Sequence, residues 1–358
     1  MTDPAQLNVM NVSAAVNTIF LPDDFTFVGD DALTHLDTVH KGQPFWRDVL
    51  SRFTRNKGAV VGLICILLIT AMALIGPGLN HYRYDQQITG HESMAPRVPG
   101  LENLGVFDGF ETLRTSTGGK EINKYLDASD GADTYYWFGS DVLGRDIFTR
   151  VWAGTRVSLY IALVAVAVDM LFGMGYGLIS GYFGGKVDMV MQRFVEILNG
   201  IPNLIIVTLL IIALKPGLVS ITLALMITGW IGMSRIARAQ ILKLKEQEFV
   251  LAAKTLGAKD FSLIFKEILP NIFGQLLIMS MFSIPNAIFT EAFFAFIGIG
   301  IPVPGASLGT LISDAFKSLT THPYMIIFPV VVLGLLMLSF NLLADGLRDA
   351  LDPRMKEN

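Results

Sequence analysis

Six apolar runs, each long enough to cross a bilayer, constrain this chain more than any other feature. They extend over Gly58–Leu79, Val157–Ile179, Met189–Leu214, Leu218–Ile236, Ile272–Ile299 and Tyr324–Leu343. A spanning helix needs about 20 mostly apolar residues. Lipid offers no partner for a bare N–H or C=O, so a spanning segment must be a helix or part of a closed barrel. Barrel strands alternate apolar and polar residues over about 10 positions, and these runs are longer and continuous. The predicted fold is therefore an all-α polytopic membrane protein with six transmembrane helices.

Charge sets the orientation. Only 16% of the 358 residues are charged, and they cluster between the apolar runs. Arg47, Arg52, Arg55 and Lys57 precede the first run, which places the N-terminus in the cytoplasm. Six crossings return the C-terminus, with Arg348, Arg354 and Lys356, to the same side. The loop after the fourth run, with Arg235, Arg238, Lys243, Lys245, Lys254, Lys259 and Lys266, falls there too. The net charge of −4 leaves no basic footprint for nucleic acid. The single cysteine, Cys65, reads as a small buried hydrophobe and excludes an intrachain disulfide.

These features divide the chain as follows. Residues 1–44 are polar and acidic, without the apolar core of a signal peptide. They are expected to be a cytoplasmic extension, poorly ordered or docked, and the first span is expected to be an uncleaved anchor. Residues 45–80 carry the first span with its basic flank. Residues 81–156 form an extracytoplasmic segment, long enough to fold into a small cap. Residues 157–346 form a five-helix core with a cytoplasmic loop at 240–270, and residues 347–358 form a cytoplasmic tail. Within 138–156, Ser140 or Asp141 is read as the cap of an interfacial amphipathic helix bearing Val142, Ile147, Val151 and Trp152.

Several spans carry residues that a passive anchor does not need. Pro202, Pro285 and Pro329 each remove a backbone donor and tend to kink a helix. Gly173, Gly177 and Gly181 repeat every fourth residue and let another helix approach closely. Asp169, Glu196 and Glu291 are charges within or near spans, where burial is costly. Such a carboxylate either lines a polar path or sits near the interface or in a structural pair. Asp169, Ser283, Asn286 and Glu291 are the candidate path residues.

The most informative stretch is Glu246–Asn271, EQEFVLAAKTLGAKDFSLIFKEILPN. It reads as two short helices joined at Gly257, a residue suited to a left-handed helix end. Phe249, Ala252, Ala253 and Leu256 fall on one face of the first helix. Asp260 is placed to cap the second, whose apolar stripe is Phe261, Ile264, Phe265 and Ile268, and Pro270 marks a boundary before the fifth span. Apolar residues on such a loop either pack back on the membrane bundle or fit a partner's groove. The sequence leaves both open.

The loop resembles the "EAA" motif of permease subunits in bacterial binding-protein-dependent ABC importers. Ala252-Ala253, Gly257 and Leu269-Pro270 stand in that motif's order, with Leu251 where its name calls for Glu and Glu248 as the nearby acid. Arg52–Val61 and Phe138–Leu159 also resemble landmarks of the dipeptide and oligopeptide branch, in its second permease chain. The resemblance covers residue 45 to the C-terminus. It implies a type I importer permease in the bacterial cell membrane that forms the path with a second, homologous permease. It also implies two ATPase subunits or domains and an extracytoplasmic peptide-binding protein as partners. Glu248, Phe249, Ala252, Ala253, Leu256, Gly257, Leu269 and Pro270 would couple the chain to the ATPases. ATP and Mg would be bound by those partners, with no cofactor in this chain.

No phosphate-binding G-x-x-x-x-G-K-[ST] occurs, the five histidines are scattered without zinc-type spacing, and no nucleophile elbow appears. The chain is expected to be non-catalytic. The rival reading is a secondary transporter acting alone, which would show two similar halves with matching broken helices. Related importers carry nickel, glutathione or other small solutes.

Overall fold

A computed structural model describes residues 45–115, 118–128 and 133–351. The expected extension at 1–44 and residues 352–358 of the expected tail at 347–358 lie outside the described residues. The fold is that of Val49–Asn358, a single compact unit. Among the described residues, five helices are long and apolar enough to cross a bilayer. They are α2 (Lys57–Gly78), α3 (Ile147–Phe183), α6 (Leu218–Leu244), α8 (Asp260–Ile299) and α10 (Tyr324–Leu351). A sixth crossing comes from α4 (Gly185–Asn199) and α5 (Asn203–Leu214) if that bent pair is one span. Shorter helices are α1 (Phe45–Arg55), α7 (Glu248–Thr255) and α9 (Leu308–Phe316). The helical, polytopic architecture is the one that the apolar runs predict.

The boundaries differ where polar residues join helices. The third run is not one helix over Met189–Leu214. It bends by 77° between α4 and α5, where Pro202 adopts an extended ψ of 131° and forces the preceding residue out of the helical region. The second span starts at Ile147 rather than Val157, and its cap is Asp146, whose carboxylate accepts from the Thr149 amide at 2.7 Å. Ser140 and Asp141 therefore cap no helix, and Arg150, Val151 and Trp152 are buried on α3 rather than lying on an interfacial helix. The fourth span runs on through Arg235 and Arg238 to Leu244. The fifth begins at Asp260 and passes through Pro270, because a π-helical turn at Leu263–Ile268 adjusts the backbone ahead of the proline. Pro285 and Pro329 likewise sit inside continuous helices.

The glycine repeat of α3 makes a close helix contact in the core. A Cβ on Gly177 would lie 2.3 Å from the Ser234 carbonyl oxygen of α6, and one on Gly181 would lie 2.0 Å from Ile241. The two helices thus pack backbone against backbone, as the four-residue spacing predicts. Around this contact Leu178, Met233, Ile241, Ile264 and Leu276 bury one apolar cluster. Arg238 clamps Asp188 of α4 at 2.5 and 2.6 Å, and Ser180 of α3 donates to the same carboxylate.

The segment between α2 and α3 is folded. It contains a hairpin, β1 (Glu111–Thr115) and β2 (Gly118–Ile122), paired antiparallel with Glu111 opposite Ile122. Met94, Tyr125 and Tyr136 form its core, and the Tyr125 hydroxyl donates to Ala95 O at 2.8 Å. Burial pushes the Tyr125 and Tyr136 hydroxyls well above the usual phenol range, so both remain protonated donors. The segment is fastened to the bundle by charge. Asp141 accepts from Arg145 Nε at 2.6 Å and faces Arg150 Nε at 3.6 Å, and both guanidinium groups are almost fully buried. Tyr324 of α10 donates to Ser140 O at 3.0 Å.

Two outcomes follow for thermal unfolding of the detergent-purified protein. Gly177→Leu should lower the midpoint, with a cost of about 1–3 kcal/mol for overpacking, whereas Gly175→Ala should not, because a Cβ there meets open space. Asp141→Asn removes the nearest counter-charge of two buried guanidiniums, leaving the more distant Asp314 at 3.9 Å from Arg145, and should cost about 3–5 kcal/mol. The exposed Arg193–Glu196 pair is the control, and Glu196→Gln should leave the midpoint unchanged.

Candidate coupling loop and polar cavity

The loop between α6 and α8 is built around α7. Glu248 opens the helix, where its charge favours the N-terminal dipole. The helix closes on Gly257, whose φ of +88° is a backbone conformation L side chains rarely adopt. Gly257 N donates to Lys254 O at 3.0 Å and Ala258 N to Ala253 O at 3.1 Å. That pair of bonds is the Schellman arrangement, which satisfies the last carbonyls and turns the chain sharply toward α8.

The two uses of apolar residues left open by the sequence are both present, on opposite faces. Val250 is 2% exposed and packs, with Ala253 and Ala258, into the cluster of α3, α6 and α8. Leu256 is 88% exposed, and Phe249, Leu251 and Ala252 are also exposed. Ala253 therefore does not share a face with Phe249, Ala252 and Leu256 as its spacing predicts. Its side chain is turned inward beside Val250, one helical turn away. The stripe on α8 divides in the same way. Ile264 and Ile268 are buried, while Phe261 and Phe265 are exposed and stacked at 6.3 Å.

Leu269 packs against the buried cluster, and Pro270 is exposed on the surface of α8. Asp260 caps nothing. Lys259 holds the cap position, and the Asp260 carboxylate instead accepts from the Tyr182 hydroxyl at 2.6 Å. Lys245 Nζ donates to Gly181 O at 3.0 Å. These two bonds tie both ends of the loop to the end of α3.

A second feature lies between α3, α6 and α8. A cavity of about 260 Å³ is lined by Asp169, Ser283 and Asn286, together with Asn203, Thr222 and Thr290. Asp169 stands at a π-helical turn of α3, a local widening that is frequent at functional positions. It is buried, and Ser283 of α8 donates a short hydrogen bond to its Oδ2. Thr222 is buried on α6, and its hydroxyl has no hydrogen-bond partner among the described residues. The structure thus brings together three of the four path residues read from the sequence. It does not bring Glu291, which is fully buried outside the cavity, with Ser307 as its polar neighbour. Asn203, Thr222 and Thr290 were missed. Each is a polar residue in an apolar run. Among the described residues no cluster of side chains suits a metal ion.

The family of the binding-protein-dependent transport system inner membrane component matches residues 173–357, and the N-terminal TM domain of oligopeptide transport permease C matches residues 44–96. The chain is 41% identical over 317 residues to the oligopeptide transport system permease protein OppC of Bacillus subtilis, covering 88% of this chain and 92% of that protein. It is 37% identical over 338 residues to the dipeptide transport system permease protein DppC of the same organism, covering 94% of each. It is 34% identical over 314 residues to OppC of Escherichia coli, covering 88% and 93%. Among solved structures, an inward-facing MetNI methionine ABC transporter aligns with a TM-score of 0.49 at 16% identity, over 57% of this chain and 97% of that one. With one family spanning 173–357 and relatives this similar over nearly the whole chain, the protein belongs to the family of inner-membrane components of binding-protein-dependent transport systems.

Proposed function

We propose that this chain is one of two pore-forming permease subunits of an ATP-driven importer of oligopeptides or dipeptides. Its partners are a second, similar permease, two ATPase subunits or domains, and an extracytoplasmic peptide-binding protein. The peptide cargo is supported by the names of the Bacillus subtilis relatives, one an oligopeptide and one a dipeptide permease. The orientation is supported by the basic flanks at Arg52, Arg55 and Lys57, and around Lys243–Lys259, which fall on one side of the bundle's crossing order. Both termini and α7 then face the cytoplasm, and the hairpin segment faces outward toward the peptide-binding protein.

The observation that carries the coupling role is the exposed stripe of Phe249, Ala252 and Leu256 on a helix whose other face is locked into the core. A helix that presents large apolar side chains to water suits a groove on a partner. ATP-driven closure of the two ATPases would move α7 as a rigid knob. Because Val250 and Ala253 join it to the cluster shared by α3, α6 and α8, that motion would reach the helices that line the cavity. Asp169, Ser283 and Asn286 are the cargo-facing residues in this scheme, and the chain itself performs no chemistry on ATP.

The first test is to purify the chain from solubilised membranes and identify what accompanies it. Two ATPases and a second permease are expected. A chain that purifies alone and transports in liposomes without ATP would sink the reading. The two faces of α7 separate stability from coupling. Phe249→Ala with Leu256→Ala should leave the thermal midpoint unchanged and reduce ATPase recovery at least tenfold. Val250→Ala should do the opposite, with a cost of about 1–2 kcal/mol. Gly257→Val places a β-branched residue at a strained φ costing about 1–3 kcal/mol. It should leave the chain in the membrane yet disconnect ATP hydrolysis from peptide uptake, and normal uptake would count against this role for the loop.

A further inference from the structure

We infer that the cavity between α3, α6 and α8 receives the positively charged N-terminal ammonium of the cargo, with Asp169 as its counter-charge. The inference rests on the proposed transport role and assigns the chemistry of one site within it. Asp169 is 4% exposed and lies in an apolar helix. Among the described residues no Lys, Arg or His lines the cavity, so its carboxylate has no cationic partner among them there. Ser283 donates to Oδ2 and fixes the orientation of the carboxylate, and no hydrogen bond from the described residues reaches Oδ1. A carboxylate buried without a counter-charge is costly, and its cost falls when a cation enters beside it.

A second observation points to the same ligand. Thr222 Oγ1 is buried and unpartnered, although its residue lines the cavity. Asn203 and Asn286 also line it, and neither side-chain amide is used in a hydrogen bond within the described residues. An alkylammonium has three N–H donors and no acceptor. The carboxylate, the threonine hydroxyl and an asparagine carbonyl supply oxygen acceptors of the kind those donors need. The volume of about 260 Å³ admits the end of a peptide rather than a long chain.

The experiment is equilibrium dialysis of trialanine and N-acetyltrialanine against the purified membrane complex, without the peptide-binding protein. Wild type, Asp169→Asn and Asp169→Glu are compared, with thermal midpoints recorded to confirm that each is folded. Wild type should bind trialanine at least tenfold more tightly than the acetylated peptide. Asp169→Asn should lose that preference by weakening trialanine alone, and Asp169→Glu should keep most of it. Thr222→Val should weaken trialanine by a smaller factor. Equal affinity of the two peptides for wild type, equal loss of both in Asp169→Asn, or no binding of either would overturn the assignment. ATP-dependent uptake of trialanine by wild-type vesicles, with the peptide-binding protein added, is measured in parallel. If uptake persists while the ammonium preference is absent, this assignment fails and the transport role stands. If uptake is also absent, the transport role fails with it.

Discussion

Close backbone contact between α3 and α6 sets the positions of most of what has functional interest in this molecule. Gly173, Gly177 and Gly181 present no side chain to α6, so Met233, Ser234 and Ile241 come within van der Waals reach of the α3 backbone. Two consequences radiate from that seam. Toward one end, Leu178 and Ile241 form the platform on which Val250 seats α7. Toward the other, α3 widens into a π-helical turn at Asp169, and the cavity opens between the same two helices and α8. A larger residue in the repeat would spread the helices and shift platform and cavity together.

The loop illustrates how one short helix serves two masters. Its inward face is held by burial, by the left-handed turn at Gly257 and by the Tyr182–Asp260 and Lys245–Gly181 bonds. Those bonds fix where the outward residues stand without using them. Phe249 and Leu256 are thus presented by a rigid base, and the entropic cost of ordering their backbone for a partner is already met by folding.

Much of this was legible in the sequence, for identifiable physical reasons. Helical spans follow from backbone satisfaction in lipid, and the four-residue glycine spacing left room for a close helix neighbour, which α6 supplies. Gly257 was readable because few residues tolerate its φ. The errors lie where tertiary contacts override local signals. Pro270 looked like a boundary, yet the π-helical turn before it lets α8 run through. Ser140 and Asp141 looked like caps, yet Asp141 is engaged by two buried arginines and Asp146 takes the cap. Periodicity placed Ala253 beside Phe249, but a small residue fits either face, and packing chose the inner one. The cavity joins residues from helices far apart in the chain, which no local pattern encodes; Asp169 and Ser283 are separated by 114 positions.

The unbroken run of α8 has a mechanical implication. From Asp260 it extends through Ser283 and Asn286 to the left-handed kink at Gly298, so one helix touches both the loop and the cavity. At about 1.5 Å per residue, Asp260 lies roughly 57 Å and Ser283 roughly 22 Å from Gly298. A tilt of about 10° around Gly298 would then carry the loop end about 10 Å and the cavity wall about 4 Å. Such a rod would act as a reducing lever, trading a wide stroke at the surface for a short, forceful one where Ser283 meets Asp169.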